Sequence, residues 1–435
     1  MNDLPNKWSL VKLGEICEVK GGFAFKTSSY KNSGIPLVRI SNIKNNKVNL
    51  EDCVYLDSSF RETAKNFLLK NGDILIALSG ATTGKYGIYN LDETALLNQR
   101  IGRLHFENLD TIDPKFVYLY LATLKDKILK EAYGAAQPNI SPKEISDFEI
   151  PLPPLPEQKK IVAKIEELFS ELDSGVANLR KAKEQIKTYR QSVLAHAFTG
   201  RLHQDSQDLQ IDRIKESSKS SNLENPGSDI LPDNWKWVKL GEVISDFKRG
   251  PFGSTIKKSF FIDKGFKVYE QKNAIYKDHN LGDYYISEDK YNELEGFAVK
   301  GGDYLVSCSG TIGRIYKLPS TTPRGIINQA LLRMRINDRQ INENFFVYLF
   351  ESELFQRKII VESRGSAMKN LAGVKELKQI EFVLPPLPQQ SYIVEEIEKR
   401  FSVADNLEKA IDESLNRSNK LRQSILKKAF EGNLV

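Results

Sequence analysis

The sequence predicts an α+β fold: two mixed α/β modules separated by two long antiparallel coiled-coil helices, arranged as a tandem repeat with approximate two-fold symmetry. Three observations predict it. The hinge "LPPLPEQ" at residues 152–158 returns as "LPPLPQQ" at residues 384–390. A long run with apolar residues at every third or fourth position follows each hinge. Strand-length apolar runs and short helical patterns precede each hinge, which is typical of a mixed α/β module.

The repeat extends through the whole chain at a nearly constant offset. A repeat of this size decides the fold, because two copies of one pattern adopt one architecture. The hinges and the segments after them match closely, whereas the modules match only at scattered framework positions. These recurring positions are Trp8/Trp235, Leu13-Gly14-Glu15/Leu240-Gly241-Glu242, Gly72-Asp73/Gly302-Asp303, Ser79-Gly80/Ser309-Gly310, Asn98-Gln99/Asn328-Gln329 and the "FVYL" runs at 116–119 and 346–349.

These patterns divide the chain into five segments. A first module covers residues 1–150, and a first long helix covers residues 151–202. A linker at 203–230, rich in polar residues and poor in apolar ones, returns the chain to a second module at 231–383. The second long helix covers residues 384–435.

Composition limits the class of protein. The chain has 435 residues and a net charge of only +6, so a nucleic-acid footprint must be local. Three distant cysteines, Cys17, Cys53 and Cys308, do not form a disulfide framework. The N-terminal "MNDLPNKWSL" has no signal pattern, and apolar runs are too short to cross a membrane. We expect a cytoplasmic protein without membrane contact.

Each module is predicted to contain strands and an amphipathic helix. "GDILIALSG" at 72–80, "GDYLVSCSG" at 302–310, "IPLVRI" at 35–40 and "FKVYEQ" at 266–271 have the length and character of strands. "DPKFVYLYLATLKDKI" at 113–128 has apolar residues at helical spacing. Asp113 is its predicted N-cap, and Pro114 suits the first helical position because its missing N–H would be unpaired there.

After each hinge we predict an amphipathic helix of about 40 residues, roughly 60 Å long. Pro156 and Pro388 suit the entry to these helices. One apolar stripe on so long a helix would not stay in water, so the two stripes are predicted to bury each other, antiparallel. The stripe residues are Ile161, Ile165, Leu168, Leu172, Val176, Leu179, Ile186, Tyr189 and Val193, and then Ile393, Ile397, Phe401, Ala404, Leu407, Ile411, Leu415 and Ile425.

This geometry suggests a reader of duplex DNA. Two similar halves joined by antiparallel helices have an approximate two-fold axis, as the DNA backbone has. Two-fold readers contact half-sites about one turn, roughly 34 Å, apart, and the helices are long enough for that. Because the modules differ in sequence, their half-sites should differ too.

Each module begins with a basic, Gly-containing loop without acidic residues, "KGGFAFKTSSYK" at 20–31 and "KRGPFGSTIKK" at 248–258. Such loops can position phosphates and read base edges, although a solvated loop is the alternative. The candidate DNA contacts in them are Lys20, Gly22, Phe23 and Lys26, and Lys248, Arg249, Phe252, Ser254, Lys257 and Lys258.

Further candidates follow strands or lie in matched loops and turns. For the residues that follow strands or lie in the matched Gly-containing loops, a turn-forming role is an equal alternative. For Lys85 and Arg314, a turn with a basic residue that faces DNA is favoured over nucleotide binding. The further candidates are Arg39, Ser41, Asn42, Lys85, Gln137 and Asn139 in the first module, and Gln271, Lys272, Asn273, Arg314, Lys369 and Asn370 in the second.

Catalytic motifs are largely missing. "GATTGK" at 80–85 resembles a phosphate-binding loop, but it has three residues between its glycines, and Tyr86 stands where a Ser or Thr would hold Mg²⁺. The histidines and cysteines have no metal-ligand spacing, and no Gly-x-Ser-x-Gly elbow or methyltransferase tetrapeptide is present. We expect no catalytic residue and no metal site in this chain.

Together these features resemble the specificity subunit of type I restriction–modification systems, over nearly the whole chain. The paired hinges, the helix ends "RQSVL" and "RQSIL", the paired "W…LGE" starts and the two divergent modules carry the resemblance. It implies two target-recognition domains that each read one half of a bipartite DNA site, with the helices as a ruler for the unread spacer.

The resemblance also implies partners and cofactors. Two methyltransferase subunits would dock on the helices, and restriction (nuclease–translocase) subunits would join through them. Methylation at adenine N6 would use S-adenosylmethionine bound by a partner, and ATP and Mg²⁺ are likewise expected on partner subunits. This chain would direct the chemistry without performing it. The alternative is a non-catalytic coiled-coil scaffold whose two modules dock other proteins.

Overall fold

The computed structural model describes residues 5–80, 82–132, 138–199, 234–252, 255–362 and 369–435. The predicted linker at 203–230 lies outside these residues. By its contacts the chain divides into two compact units, one of Met1–Arg180 with Asp412–Val435 and one of Lys181–Ile411. Each long helix therefore contributes one end to each unit, whereas the predicted boundaries gave each helix a segment of its own. No helix in the described part of the chain is both long and apolar enough to cross a membrane.

The described residues of the first unit form three sheets. Six strands are ordered β2-β10-β7-β8-β5-β4, three are ordered β6-β3-β9, and β1 pairs with β11. The strands are β1 Ser9–Lys12, β2 Glu18–Gly21, β3 Ile35–Val38, β4 Ile43–Lys44, β5 Lys47–Val48, β6 Val54–Leu56, β7 Asp73–Ala77, β8 Tyr86–Tyr89, β9 Leu96–Leu97, β10 Ile101–His105 and β11 Glu149–Leu152. The shorter helices are Leu13–Ile16, Phe60–Thr63, Pro114–Ala132 and Pro142–Ser146, with 3₁₀ turns at Thr27–Ser29, Ile40–Asn42 and Lys65–Phe67.

The helix Pro114–Ala132 forms where the sequence predicts it. The Asp113 carboxylate accepts a hydrogen bond from the Lys115 backbone N–H at 2.9 Å, as an N-terminal cap does. The helix buries an apolar face in the same core as strand β7. That face consists of Phe116, Val117, Tyr120, Leu121, Leu124, Ile128 and Ala132.

The second unit repeats this arrangement. Sheet β13-β20-β17-β18 corresponds to β2-β10-β7-β8, sheet β15-β14-β19-β16 contains the counterpart of β6-β3-β9, and β12-β23 corresponds to β1-β11. The strands are β12 Lys236–Lys239, β13 Ile244–Arg249, β14 Phe266–Tyr269, β15 Tyr285–Ile286, β16 Ala298–Val299, β17 Tyr304–Ser307, β18 Ile315–Lys317, β19 Gly325–Ile327, β20 Leu331–Ile336, β21 Ile360–Glu362, β22 Lys369–Leu371 and β23 Glu381–Leu384. The shorter helices are Leu240–Val243, Gln271–Ile275, Glu288–Glu293, Glu343–Glu351, Glu353–Ile359 and Val374–Gln379, with 3₁₀ turns at Lys258–Phe260 and Glu295–Phe297. The tandem repeat is thus confirmed in the strand order.

The two long helices, Leu155–Phe198 and Leu387–Phe430, each have 44 residues. In the second unit Lys183 lies 3.7 Å from Glu408, and Arg190 pairs with Asp405, so the partner numbers fall as the helix numbers rise. In the first unit Asp173 pairs with Arg422. The predicted antiparallel pairing is therefore confirmed in the second unit, and the two helices also contact each other in the first.

The apolar stripes of the long helices are buried or half-buried at every predicted position except one. Ile161 and Ile165 are buried in the first helix, and Ile397, Ala404 and Ile411 are buried in the second. The assignment of Leu407 to the seam is wrong, because 54% of that residue is exposed. A helix facing a single partner covers only a narrow stripe of its neighbour, which leaves the edge of a broad apolar face in solvent.

The recurring tryptophans attach each module to its hinge. The Trp8 indole Nε1–H donates to Glu157 Oε1 at 2.9 Å, and the Trp235 indole donates to Gln389 Oε1 at 2.6 Å. Glu157 and Gln389 occupy the same place in the two hinge motifs. Each module therefore meets the first turn of its long helix through the same type of hydrogen bond.

Candidate nucleic-acid interface

The basic loop of the first module passes against the turn that contains Asn98. Gly22 N–H donates to Ile101 O at 3.0 Å, and Gln99 N–H donates to Phe23 O at 3.0 Å. A Cβ atom at Gly22 would lie 2.3 Å from Asn98 O, so only glycine fits this approach. Gly22 thus has a structural reason to be in the loop, and Phe23 beside it is partly exposed.

Two further loops join the same edge of the first module. Leu78 N–H donates to Arg100 O at 2.9 Å, and Gly80 N–H donates to Pro138 O at 2.9 Å. In the "GATTGK" segment, residues 82–84 form a turn before β8, and Gly80 and Gly84 are in the left-handed region. The predicted site residues Lys85 and Asn139 are therefore brought toward the basic loop by backbone hydrogen bonds.

The second module builds the same edge. Gly250 N–H donates to Leu331 O at 2.9 Å, and a Cβ on Gly250 would lie 1.8 Å from Asn328 O. Cys308 N–H donates to Ala330 O at 2.8 Å. The Ser309 hydroxyl donates to the Gln271 Oε1 at 3.3 Å, which places the predicted residue Gln271 in this group.

Exposed cations in the basic loops and in the turns at these edges have no ion-pair partner among the described residues. They contrast with Lys31, whose hydrogen bond holds the pKa of the Asp57 carboxyl well below its usual value. Unpaired surface cations suit phosphate contact because no internal bond must break first. They are Lys26 and Lys85 in the first module, and Lys257, Lys258 and Arg314 in the second.

Besides Arg39, four other predicted cations are partly buried. Lys20 lies on β2, and Arg249 ends β13. The Lys248 ammonium lies 4.7 Å from the centroid of the Phe297 ring. Lys272 pairs with Glu270 at 2.8 Å, and this hydrogen bond raises the pKa of the Lys272 ammonium.

Asn42 and Asn273 do not belong to the interface, and their assignment as DNA contacts is wrong for this conformation. Both are buried, with exposed fractions of 1% and 0%. Asn42 Oδ1 accepts from Arg39 N–H at 2.9 Å, and its amide donates to Asn49 O at 3.0 Å. Asn273 Oδ1 accepts from Glu270 N–H at 2.8 Å, and its amide donates to Leu281 O at 2.7 Å. Each amide is used to hold its own loop.

The shared asparagine turn shows that Arg39 and Glu270 occupy equivalent positions. Each follows the last residue of a matched strand, β3 or β14, and donates its N–H to the asparagine three residues later. Arg39 is half-buried, and its guanidinium Nε has no partner among the described residues. Ser41 is exposed in the same turn. The two modules therefore carry opposite charges at one place in a common framework.

The remaining predicted DNA contacts lie in the second module, except for Gln137. Phe252 is 72% exposed, beside Gly250. Lys369 and Asn370 lie in strand β22, and the backbone of Leu371 in that strand donates to Cys308 O at 3.4 Å. Gln137 and Ser254 lie outside the described residues.

Sequence reasoning left three exposed polar residues of this edge out of the site. Gln99 and Arg100 follow Asn98, and Gln329 follows Asn328. The signal was present, because Asn-Gln recurs in two modules that otherwise diverge. Recurrence alone also fits a framework role, and most of the other recurring positions have that role.

Two cysteines have environments that suppress nucleophilic chemistry. Burial raises the pKa of the Cys17 thiol to about 12 and that of Cys308 to about 11. Both thiols are therefore protonated near neutral pH, and the thiolate is the reactive form.

Comparison with known proteins gives a consistent family. The family model of the type I restriction modification DNA specificity domain matches residues 5–187 and 232–417. The type I restriction enzyme EcoBI specificity subunit of Escherichia coli is 27% identical over 435 residues, covering 99% of this chain and 87% of the relative. The StySPI specificity subunit of Salmonella potsdam is 26% identical over 450 residues, covering 99% and 90%.

Solved structures have the same fold. A chain from work on complex assembly and conformational transition of the type I R-M system superposes with a TM-score of 0.69 at 21% identity, covering 99% of this chain and all of the other. The HsdS subunit from Thermoanaerobacter tengcongensis gives a TM-score of 0.53 at 21% identity, covering 99% and 98%. At these identities the likeness establishes the fold.

Proposed function

Because the chain belongs to the type I restriction–modification DNA specificity family, we propose that it directs its complex to a bipartite, asymmetric DNA site, with one half-site read by each module. As a specificity subunit it recognises DNA sequence and is the non-catalytic member of its system. Family membership favours this function over the alternative of a protein-docking scaffold.

The observation that carries the bipartite proposal is the shared edge with unlike residues at matched positions. Both modules place a basic loop against an Asn-Gln turn, so both present the same kind of surface. At the position beside it the first module has Arg39 and the second has Glu270, whose carboxylate pairs with Lys272. Arginine pairs with guanine O6 and N7, whereas glutamate accepts from cytosine N4. Two modules with such a difference would select different half-sites.

The long helices are proposed to set the unread spacer. Each is an unbroken helix of 44 residues, about 66 Å long at 1.5 Å per residue. Each helix has one end in the first compact unit and the other end in the second. A continuous helix resists bending and stretching, so it would hold the separation of two half-sites constant.

The same helices are proposed to recruit two methyltransferase subunits, and restriction subunits through them. Val403 and Leu407, one helical turn apart on the second long helix, are 57% and 54% exposed. An adjacent apolar pair on a helix surface suits the face of a partner protein. S-adenosylmethionine, ATP and Mg²⁺ would then bind on the partner subunits.

The test is to express the chain with its cognate methyltransferase and to sequence the modified bases in genomic DNA. We expect two unlike sequence blocks separated by a gap of fixed length. A single block, or one symmetric palindrome, would contradict the proposal.

A further inference from the structure

Most residues that recur in both modules have an internal structural role. Some fill the core, some cap turns through their side chains, some are glycines packed tightly against a neighbouring residue, and others adopt a left-handed backbone. They are Trp8/Trp235, Leu13/Leu240, Gly14/Gly241, Glu15/Glu242, Gly72/Gly302, Asp73/Asp303, Gly80/Gly310, Asn98/Asn328 and Phe116/Phe346.

Gln99 and Gln329 also recur, but without such a role. Both side chains are exposed, and neither carboxamide has a hydrogen bond to any described residue. The asparagine before each holds the turn instead. Asn98 Oδ1 accepts from Arg100 N–H at 3.3 Å, and Asn328 Oδ1 accepts from Ala330 N–H at 3.0 Å. The glutamine side chain is therefore carried on a fixed turn and left free.

The location of the two glutamines matches the candidate interface. Gln99 N–H donates to Phe23 O in the basic loop of the first module. In the second module the neighbour of Gln329, Asn328, presents its carbonyl oxygen against Gly250 of the corresponding loop. The unpaired lysines Lys26 and Lys257 belong to these loops. A duplex that contacts these loops near Phe23 and Gly250 would therefore also lie next to the two glutamines.

We propose that Gln99 and Gln329 each read an adenine in the major groove, so that both half-sites contain this base where the turn meets the DNA. A glutamine carboxamide offers a donor and an acceptor side by side. Adenine presents the complementary pair, the N6 amino donor and the N7 acceptor, and the resulting bidentate contact distinguishes adenine from the other bases. This inference rests on the proposed function and adds a base shared by two otherwise unlike half-sites.

Recurrence supports a shared base rather than a shared phosphate contact. Many residue types can contact a phosphate. If these positions contacted only phosphate, the two diverging modules would not need to keep a glutamine at both. A base contact requires one arrangement of donor and acceptor. Two modules that keep glutamine while exchanging Arg39 for Glu270 would keep one base and change another.

The test begins with the wild-type complex of chain and methyltransferase, whose modified motif identifies the two half-sites. Duplexes carrying all four base pairs at each motif position are then titrated at one salt concentration with the wild type and with Gln99→Ala and Gln329→Ala. Each variant is expected to lose about 10- to 100-fold of discrimination at a single adenine of its own half-site, with the other half-site unchanged. Gln340→Ala, an exposed glutamine beyond the far end of β20, is the matched control.

A second substitution at Gln99 tests directly whether its carboxamide reads adenine. Gln99→Glu keeps the shape of the side chain but accepts hydrogen bonds only, and glutamate pairs with cytosine N4. Its preference is expected to move from adenine toward cytosine at that one position. Thermal unfolding equal to wild type confirms that the variants fold.

Three outcomes would overturn the inference: equal weakening on every sequence, unchanged discrimination, or relaxation at a position that is not adenine in the wild-type motif. Failure of the proposed function is distinguishable, because the wild-type complex would then give no two-block motif before any variant is tested.

Discussion

Gln158 Oε1 accepts a hydrogen bond from the Asp113 backbone N–H at 2.8 Å, across 45 residues. The Gln158 amide donates to Pro153 O and Thr111 O at 2.8 and 3.0 Å. In the second repeat Gln390 makes the corresponding bonds, with Asn342 N–H at 2.7 Å and with Pro385 O and Gln340 O. Both glutamines are fully buried. The repeated hinge is thus a joint that fixes the long helix to the loop before the main helix of each module.

The joint predicts a stability loss for Gln158→Ala. The substitution leaves a backbone N–H and two carbonyls without partners in a buried site, which costs about 2–3 kcal/mol. In a unit of this size we expect the melting temperature to fall by roughly 4–10 °C. Gln185→Ala, an exposed position on the same helix, is the control. Thermal unfolding followed by circular dichroism measures the difference, and equal melting of the two variants would show that the joint contributes nothing.

The exposed lysines of the basic loops predict a change in salt dependence. Lys26→Ala and Lys257→Ala should each weaken binding to all DNA sequences and lower the slope of log K against log salt by about 0.9 for each phosphate that is no longer neutralised. Lys125→Ala removes the same charge from the exposed side of helix Pro114–Ala132 and should leave the slope unchanged. Titrations of a duplex across a range of salt concentrations give the slopes. Slopes identical to wild type for both loop variants would remove these lysines from the interface.

The exposed pair on the second long helix predicts a partner contact. Leu407→Lys and Val403→Lys would place a charge inside the proposed methyltransferase interface, where an unpaired buried charge costs several kcal/mol. We expect at least about tenfold weaker association with the methyltransferase and an unchanged melting temperature, since both residues are exposed in the chain alone.

Asn416→Lys is the control for that experiment, since it makes the same charge change at an exposed position on the opposite side of the same helix. Association can be measured by co-purification and by titration of the separate subunits. If all three variants associate like the wild type, the methyltransferase docks elsewhere.

Periodicity predicted the fold well because burial acts on whole faces. The strand at 73–77, the helix after Asp113 and both long helices follow from patterns in which many residues contribute the same signal. The placement of Leu407 did not follow. A broad apolar face is compatible with several seams, and packing against one partner selects a narrower stripe than the pattern contains.

Single polar residues were harder to interpret than periodic faces. Asn42 and Asn273 follow strands as a base-reading residue would, but an asparagine at such a place also caps its own turn, and this local bond prevailed. Gln99 and Gln329 show the reverse: the sequence pattern places them in the framework, but the structure leaves them exposed. Their recurrence looked like framework, and only their exposure and lack of partners distinguish them from the neighbouring Asn98 and Asn328. Residue type and spacing in the sequence do not show whether a side chain is exposed or hydrogen-bonded.

The proposed ruler predicts that lengthening both helices changes the gap between half-sites. Four residues inserted between Asp173 and Lys183, together with four between Glu408 and Arg422, would preserve the ion pairs Asp173–Arg422 and Lys183–Glu408 on either side. Four helical residues add about 6 Å, close to two base pairs at 3.4 Å each. We expect the methylated motif to keep both half-sites and to gain about two unread base pairs. Insertion into one helix alone is the control, because it leaves the mate unmatched and should abolish methylation. If the chain with both helices lengthened still methylates the motif with its original gap, the ruler is refuted. The long helices could then change length without changing the distance between the half-sites.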